Sequence, residues 1–321
     1  MDPLSHGLMG LAAFSLKYSP SLSNPACLGA VIGAIAPDFD IMTRIKGDYV
    51  YLKHHRVESH SIPGILFSTL VITAGLSLFF SEFYFYQVFF WTLLGSLSHI
   101  VLDIFNSYGA SILYPLTRKK YSLNLLMIYD PVLTILNFYI IMFRPRSIGE
   151  YGGLGSIMLV YLLYKSWDRK QAKQIISQHY EAGYRIKSVD VMPGEWHPLK
   201  WHYIINTSSH HIVGDVNPST GKIDTPKKLR KIQNAIINKA LEDELADYFK
   251  GFTPFFHIDL IEESRDVIVR MVDLRYRVKE EFKHHVSFYY DEHHELMRSI
   301  FHPFKLENTI EIYSKKSVDA H

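Results

Sequence analysis

Two adjacent runs leave this chain little choice of fold class. From Ile62 to Phe80 no residue carries a charge, and Phe83–Phe105 is apolar and aromatic until His99 and Asp103 near its end. Each suits a helix across a hydrocarbon core of about 30 Å, which takes roughly 20 apolar residues. Leu125–Phe143, interrupted by Asp130-Pro131, and the shorter Leu154–Trp167 read as two further spans. Leu8–Leu16 and Ala26–Ala36 are too short to span alone; they read as a tilted helical hairpin or as half-buried helices packed on the others.

The apolar character stops near Trp167. From Asp168 onward the chain is charged, rich in histidine and poor in long apolar runs, although the whole has a mean hydropathy near zero. The fold class expected is therefore a multi-spanning α-helical membrane domain, residues 1–167, followed by a small α+β domain with an antiparallel sheet, residues 168–321. In the second part Tyr184–Val191, Trp201–Asn206, His211–Val216, Pro254–Leu260, Asp266–Tyr276 and His285–Tyr290 read as strands, with a turn at Asn217-Pro218-Ser219-Thr220-Gly221. Lys227–Tyr248 has helical spacing, and its basic start, Lys227-Lys228-Leu229-Arg230-Lys231, reads as a solvated helix end.

Lysine and arginine set the orientation. Arg44, Lys46, Lys53 and Arg56 lie in one loop, Arg118, Lys119 and Lys120 in another, and Lys165, Arg169, Lys170 and Lys173 follow the last span. Four spans in series put all three regions on the cytoplasmic side, together with the C-terminal domain; Arg144 and Arg146 are discordant. Asp2 and His6 stand where a secretory signal would be basic, so no signal peptide is expected. A net charge of +2 gives no support to a nucleic-acid partner, and a single cysteine, Cys27, excludes a cysteine-based zinc cluster and reads as a small packing residue.

The chemistry sits in five short pieces: His6, Pro37-Asp38-Phe39-Asp40, His54-His55-Arg56-Val57-Glu58-Ser59-His60-Ser61, His99 with Asp103, and Asp130-Pro131. Imidazoles and carboxylates without cysteine suit zinc, manganese or iron. His99 and Asp103 share one helix face. An extended turn after Pro37 would point Asp38 and Asp40 the same way. The orientation drawn from the charges brings all these groups to one membrane face, and ionisable groups in or beside spans mark function. The expected ligands of one or two divalent ions, zinc ahead of manganese, are His6, Asp38, Asp40, His55, His60, His99 and Asp103. The spare member of the Asp38/Asp40 pair is the expected general base. Arg56 is either an electrophile that binds phosphate or carboxylate, or simply a cytoplasmic-side charge. Ser59 and Ser61 orient a ligand or cap the next helix. Asp130 reads as a partner to a ligand histidine's N–H, a ligand, or a cap. The pairs His210-His211, His284-His285 and His293-His294 read as surface or strand positions.

These motifs, in this order, resemble the bacterial YdjM-like family of integral membrane proteins, described as membrane-bound metal-dependent hydrolases. The matching pieces are Ser5-His6 with Gly10, Pro37-Asp38-Phe39-Asp40, His55-Arg56 with Ser59-His60-Ser61, and Ser98-His99 with Asp103 and Gly109, across about residues 1–165. Val272-Asp273-Leu274-Arg275-Tyr276 looks like a strand of longer members. A more distant similarity is to zinc-dependent phospholipase C and its nuclease superfamily, through the pair His99 and Asp103. That superfamily's N-terminal tryptophan ligand is missing here, which implies one or two ions rather than three. The resemblance implies hydrolysis of a phosphoester, a lipid's among them, by a metal-activated water at the cytoplasmic face of the bacterial plasma membrane. The alternative is a non-catalytic metal-binding membrane scaffold, or a transporter.

Overall fold

The structure is a computed structural model that describes residues 2–47, 50–51, 54–195, 197–262, 266–275, 277–278, 281–302 and 309–312. Lys53 and Tyr276, which entered the orientation and strand readings, lie outside these. The chain divides into a helical unit (Met1–Thr43, His54–Gln171, Met192–Lys200) and an α/β unit holding the remainder.

Helix starts in the first unit follow a repeated local rule. Asp2-Pro3, Asn24-Pro25 and Asp130-Pro131 each place an oxygen-bearing cap before a proline that needs no N–H partner. They open α1 (Pro3–Ser15) and α2 (Pro25–Ile35). Ser61 opens α3 (Ile62–Ser77) by accepting from Gly64 N at 3.1 Å. α4 is Phe85–Phe105, α5 is Pro131–Phe143 behind Asp130, and α6 runs from Ile148 to Glu181. Beyond α2 the chain tightens into 3₁₀ turns over Ala36–Lys46.

Pro25–Lys46 and Phe85–Phe105 are long and apolar enough to cross a membrane. Ile62–Ser77 and Pro131–Phe143 are apolar but shorter than the spans expected at Ile62–Phe80 and Leu125–Phe143. Leu154–Trp167 is the middle of α6.

α1, α2 and α4 meet through small residues, as helices in lipid do. A Cβ on Gly10 or Gly95 would strike the Ala30 carbonyl, and one on Gly33 would strike that of Thr92. Ser96 Oγ donates to Gly33 O at 3.0 Å across the same seam. Phe14, Ala26, Cys27, Ala30, Val88 and Trp91 pack around it.

In the α/β unit, β1 (Ile186–Pro193), β2 (Trp201–Thr207), β3 (His210–Asn217) and β4 (Lys222–Arg230) form a sheet in that order, with β2–β3 and β3–β4 antiparallel. Its inner face, with Trp201, Tyr203 and Ile212, covers Ala172, Ile176 and Tyr180 from the end of α6. The second sheet combines β5 (Phe256–Glu262), β6 (Val267–Asp273), β9 (His285–Tyr290), β10 (Leu296–His302) and β11 (Ile310–Ile312). It has the order β11-β10-β9-β6-β5 and is antiparallel throughout. β7 (Arg277–Val278) and β8 (Glu281–Phe282) pair with each other. Phe249 and Phe252 of α8 (Glu244–Phe252) and Ile236 and Ile237 of α7 (Ala235–Leu241) pack on Val269, Met271, Phe288 and Phe301.

The helix expected over Lys227–Tyr248 is corrected by this arrangement. The turn at Gly221, φ +69°, folds the chain back so that Lys227, Lys228 and Leu229 pair with Val213, Ile212 and His211. The basic run is therefore mostly strand, not a helix start. Helix begins only at the Asn234 cap and restarts at Asp243, which accepts from Leu245 N at 2.8 Å.

Candidate metal centre

α4 carries His99 and Asp103 one turn apart, both fully buried. His99 Nδ1–H donates to Ala34 O at 2.7 Å, which fixes the ring with its Nε2 lone pair turned inward. His60, just before α3, is fixed in the same way. Its Nδ1 contacts Ser59 Oγ at 2.9 Å, and that hydroxyl in turn reaches Asp40 Oδ2 at 3.4 Å. A hydroxyl donating to Asp40 accepts from His60 Nδ1–H, so the His60 lone pair also sits on Nε2. Hydrogen bonds on the far nitrogen are how proteins orient metal-binding histidines.

The two Nε2 atoms lie 3.1 Å apart. Asp103 Oδ2 is 3.3 Å from His60 Nε2 and 3.5 Å from His99 Nε2. Asp38 Oδ1 is 3.7 Å and 3.5 Å from the same two atoms. Asp38, His60, His99 and Asp103 thus offer four ligand atoms within 4.8 Å of one another. Donors about 2.0–2.1 Å from a tetrahedral ion stand about 3.4 Å apart, so the five measured edges match such a site. Two imidazole nitrogens and two carboxylates turned to one point could together hold a metal ion.

His6 lies beside the same group. It is fully buried, stacks on His99 at 3.6 Å, and among the described residues has no hydrogen-bond partner for either ring nitrogen. Its Nε2 lies 3.5 Å from Asp103 Oδ1, the oxygen that also faces Arg56 Nη2 at 3.3 Å.

Not every expected ligand joins this group. Asp40 and His55 pair with each other, Nδ1 to Oδ2 at 3.0 Å, and stand outside the four. Asp40 Oδ2 also accepts from Arg56 N at 2.9 Å, so this carboxylate holds the His55–Ser59 turn and is not left spare as a base. The cause is local. In 3₁₀ turns successive residues rotate by about 120°, so Asp38 and Asp40 leave the backbone in different directions, and they reach opposite nitrogens of His60, Nε2 at 3.7 Å and Nδ1 at 4.0 Å. Among the described residues Asp130 meets no histidine: it caps α5 and accepts from Tyr161 Oη at 2.7 Å. Ser61 is the helix cap, and Ser59 orients His60.

Arg56 has φ +61° and is nearly buried, its guanidinium over the Tyr108 ring at 4.9 Å. It donates to Asn106 Oδ1 at 3.4 Å, and Asn106 Nδ2 donates to Asp103 Oδ1 at 2.9 Å. Asn106 was missed from sequence. Its signal was a second polar side chain three residues beyond Asp103, at the end of an otherwise apolar helix.

Similarity follows the same division. Residues 235–311 match a family described as the YfhP C-terminal alpha/beta plait domain. The uncharacterized protein YfhP of Bacillus subtilis (strain 168) is 27% identical over 290 residues, which cover 87% of this chain and 88% of that protein. No solved structure matches the chain. Residues 1–172, which contain the whole His/Asp cluster, match the YdjM inner membrane protein family, and the chain belongs to that family.

Proposed function

We propose that the chain is an integral membrane metal-dependent hydrolase whose centre is Asp38, His60, His99 and Asp103, with His6 beside them. The observation that carries this reading is the set of inter-ligand distances, 3.1–3.7 Å, around two inward-facing Nε2 atoms. Zinc is the ion proposed first, ahead of manganese, because two imidazoles and two carboxylates at tetrahedral spacing suit it. A divalent ion held there would supply Lewis acidity, and only a water taken as a fifth ligand beyond the four protein donors would have its pKa brought toward about 7.

The chain's own residues do the rest. Asp40 and Ser59 hold His60 in its tautomer, and Ala34 holds His99. Arg56 holds Asp103 through Nη2 and Asn106 through Nη1, and the positive charge it keeps beside the cluster would draw an anionic substrate. That favours a phosphoester, a membrane lipid among the substrates. Exposed Phe39, Ile41 and Met42 flank Asp38 and Asp40, which fits an amphiphile arriving from the bilayer. The proposed topology is multi-pass in the bacterial plasma membrane, with the α/β unit cytoplasmic. A reporter fused after His321 should read cytoplasm, and an external signal would refute that topology.

The test of function is a pair of variants assayed in bilayer discs for bound metal and for phosphoester hydrolysis. Arg56→Lys should keep the metal and lose about 10²–10³ in rate, since one charge-stabilising contact is gone. Asp103→Asn should lose metal and activity together. Near-full turnover in Arg56→Lys reduces Arg56 to a topology charge. A metal-loaded protein that hydrolyses no phosphoester supports the scaffold reading instead.

A further inference from the structure

The stretch after α4 is charged in one sense only. Between Asp103 and Asp130 the chain holds Arg118, Lys119 and Lys120 and no aspartate or glutamate. Within it Ala110 and Tyr121 form an antiparallel bridge, N to O at 3.2 and 3.0 Å, that closes a hairpin. The base of the hairpin is fixed. Ala110 and Ser111 are fully buried, Ser111 N donates to Arg56 O at 3.1 Å, and Ile62 N donates to Ile112 O at 3.1 Å. Ser111 Oγ donates to Arg118 O at 3.0 Å and so ties the two arms together. All of this lies in the helical unit.

The tip does not suit water. Leu116 is 89% exposed and Leu113 38%, with Pro115 between them exposed as well. Arg118 and Lys119 are exposed, and their charged ends lie over the Tyr114 and Tyr121 rings at 5.7 and 5.6 Å. A leucine standing clear of the protein forgoes the stabilisation that burial gives. Cations beside exposed leucines and tyrosines fit the boundary between acyl chains and anionic headgroups. The hairpin also starts where α4 ends, and α4 is long and apolar enough to cross a membrane, which favours lipid over an acidic protein as the partner.

We propose that the tip of this hairpin lies in the membrane interface and binds the headgroup of an anionic phospholipid. Leu113 and Leu116 enter the acyl boundary, and Arg118 and Lys119 face the phosphate. The surface shares its hairpin with the backbone bond to Arg56, but the proposal needs neither a metal nor hydrolysis.

Full-length Leu116→Cys is labelled with bimane in lipid discs; Cys27 is buried, so the protein without that substitution is the labelling blank. Doxyl-labelled phosphatidylglycerol and doxyl-labelled phosphatidylcholine are compared as quenchers in phosphatidylcholine discs at low salt. Half-quenching should come at an about 5-fold lower share of the anionic lipid, the factor that one cation near an anionic surface contributes. Adding Arg118→Gln/Lys119→Gln should erase that difference and leave quenching by the choline lipid unchanged. Equal quenching by the two lipids with Arg118 and Lys119 in place overturns the headgroup assignment. Quenching by aqueous iodide and by neither lipid overturns the membrane surface and turns the two cations toward an acidic protein. Each of these readouts stands whether or not the protein holds metal or hydrolyses a phosphoester.

Discussion

Both units bury apolar side chains, but they differ in what they leave outside. The helical unit seals away His6, His60, His99, Asp103, Thr69, Thr73, Thr92 and Ser96 while Phe67, Leu70, Val71, Phe90, Phe138 and Met142 lie outside. The α/β unit buries Trp201, Tyr203, Phe249, Phe288 and Phe301. Water rewards the second pattern, because apolar surface removed from it stabilises the fold. A bilayer removes that reward between helices, so close backbone approach and buried polar contacts hold them instead. In this chain the buried polar side chains of the helical unit include three of the four that could hold a metal ion.

The contrast can be broken at matched phenylalanines. Phe288→Ala in the second sheet should cost about 3–5 kcal/mol, the loss expected for a large core side chain. Phe67→Ala, 70% exposed on α3, should cost under about 1 kcal/mol in a bilayer, because no cavity opens. Thermal unfolding in bilayer discs, followed by tryptophan fluorescence and proteolysis, separates the two. A large loss at Phe67 would mean that this face is covered by protein, not by lipid.

Glycines sharpen the same comparison with a smaller effect. Gly95→Ala drives a methyl into the Ala30 carbonyl one turn before His99, and should cost about 1–3 kcal/mol and loosen metal binding. Gly152→Ala in α6 meets nothing within 4 Å, and should stabilise by up to about 1 kcal/mol through helix propensity. Equal melting temperatures for the two variants would contradict the close α2–α4 seam.

Sequence carried much of this, for identifiable reasons. His99 with Asp103 announced a shared face by spacing alone, whereas the helix starts at Pro3 and Pro25 went unread although each follows an oxygen-bearing cap. The strands over Trp201–Thr207 and His285–Tyr290 were legible from β-branched and aromatic runs. Asp38 and Asp40 could not be told apart, because their divergence depends on a 3₁₀ backbone that spacing does not reveal. Lys227–Arg230 misled because its alternation was masked by lysines, and strand pairing to β3 overrode a helical pattern. The pairing of His211 on β3 with His257 on β5, 46 positions apart, had no local signal.

The central claim is that the buried His/Asp cluster holds a metal, and the most direct measurement is metal content by mass spectrometry. Full-length protein is compared with Asp38→Asn/His60→Gln, which keeps the approximate size of both side chains but removes a charge and an inward lone pair. The prediction is that this variant carries at least one zinc or manganese fewer per chain while keeping its helical content. Equal metal in the two proteins would contradict the assignment of Asp38, His60, His99 and Asp103 as a metal centre.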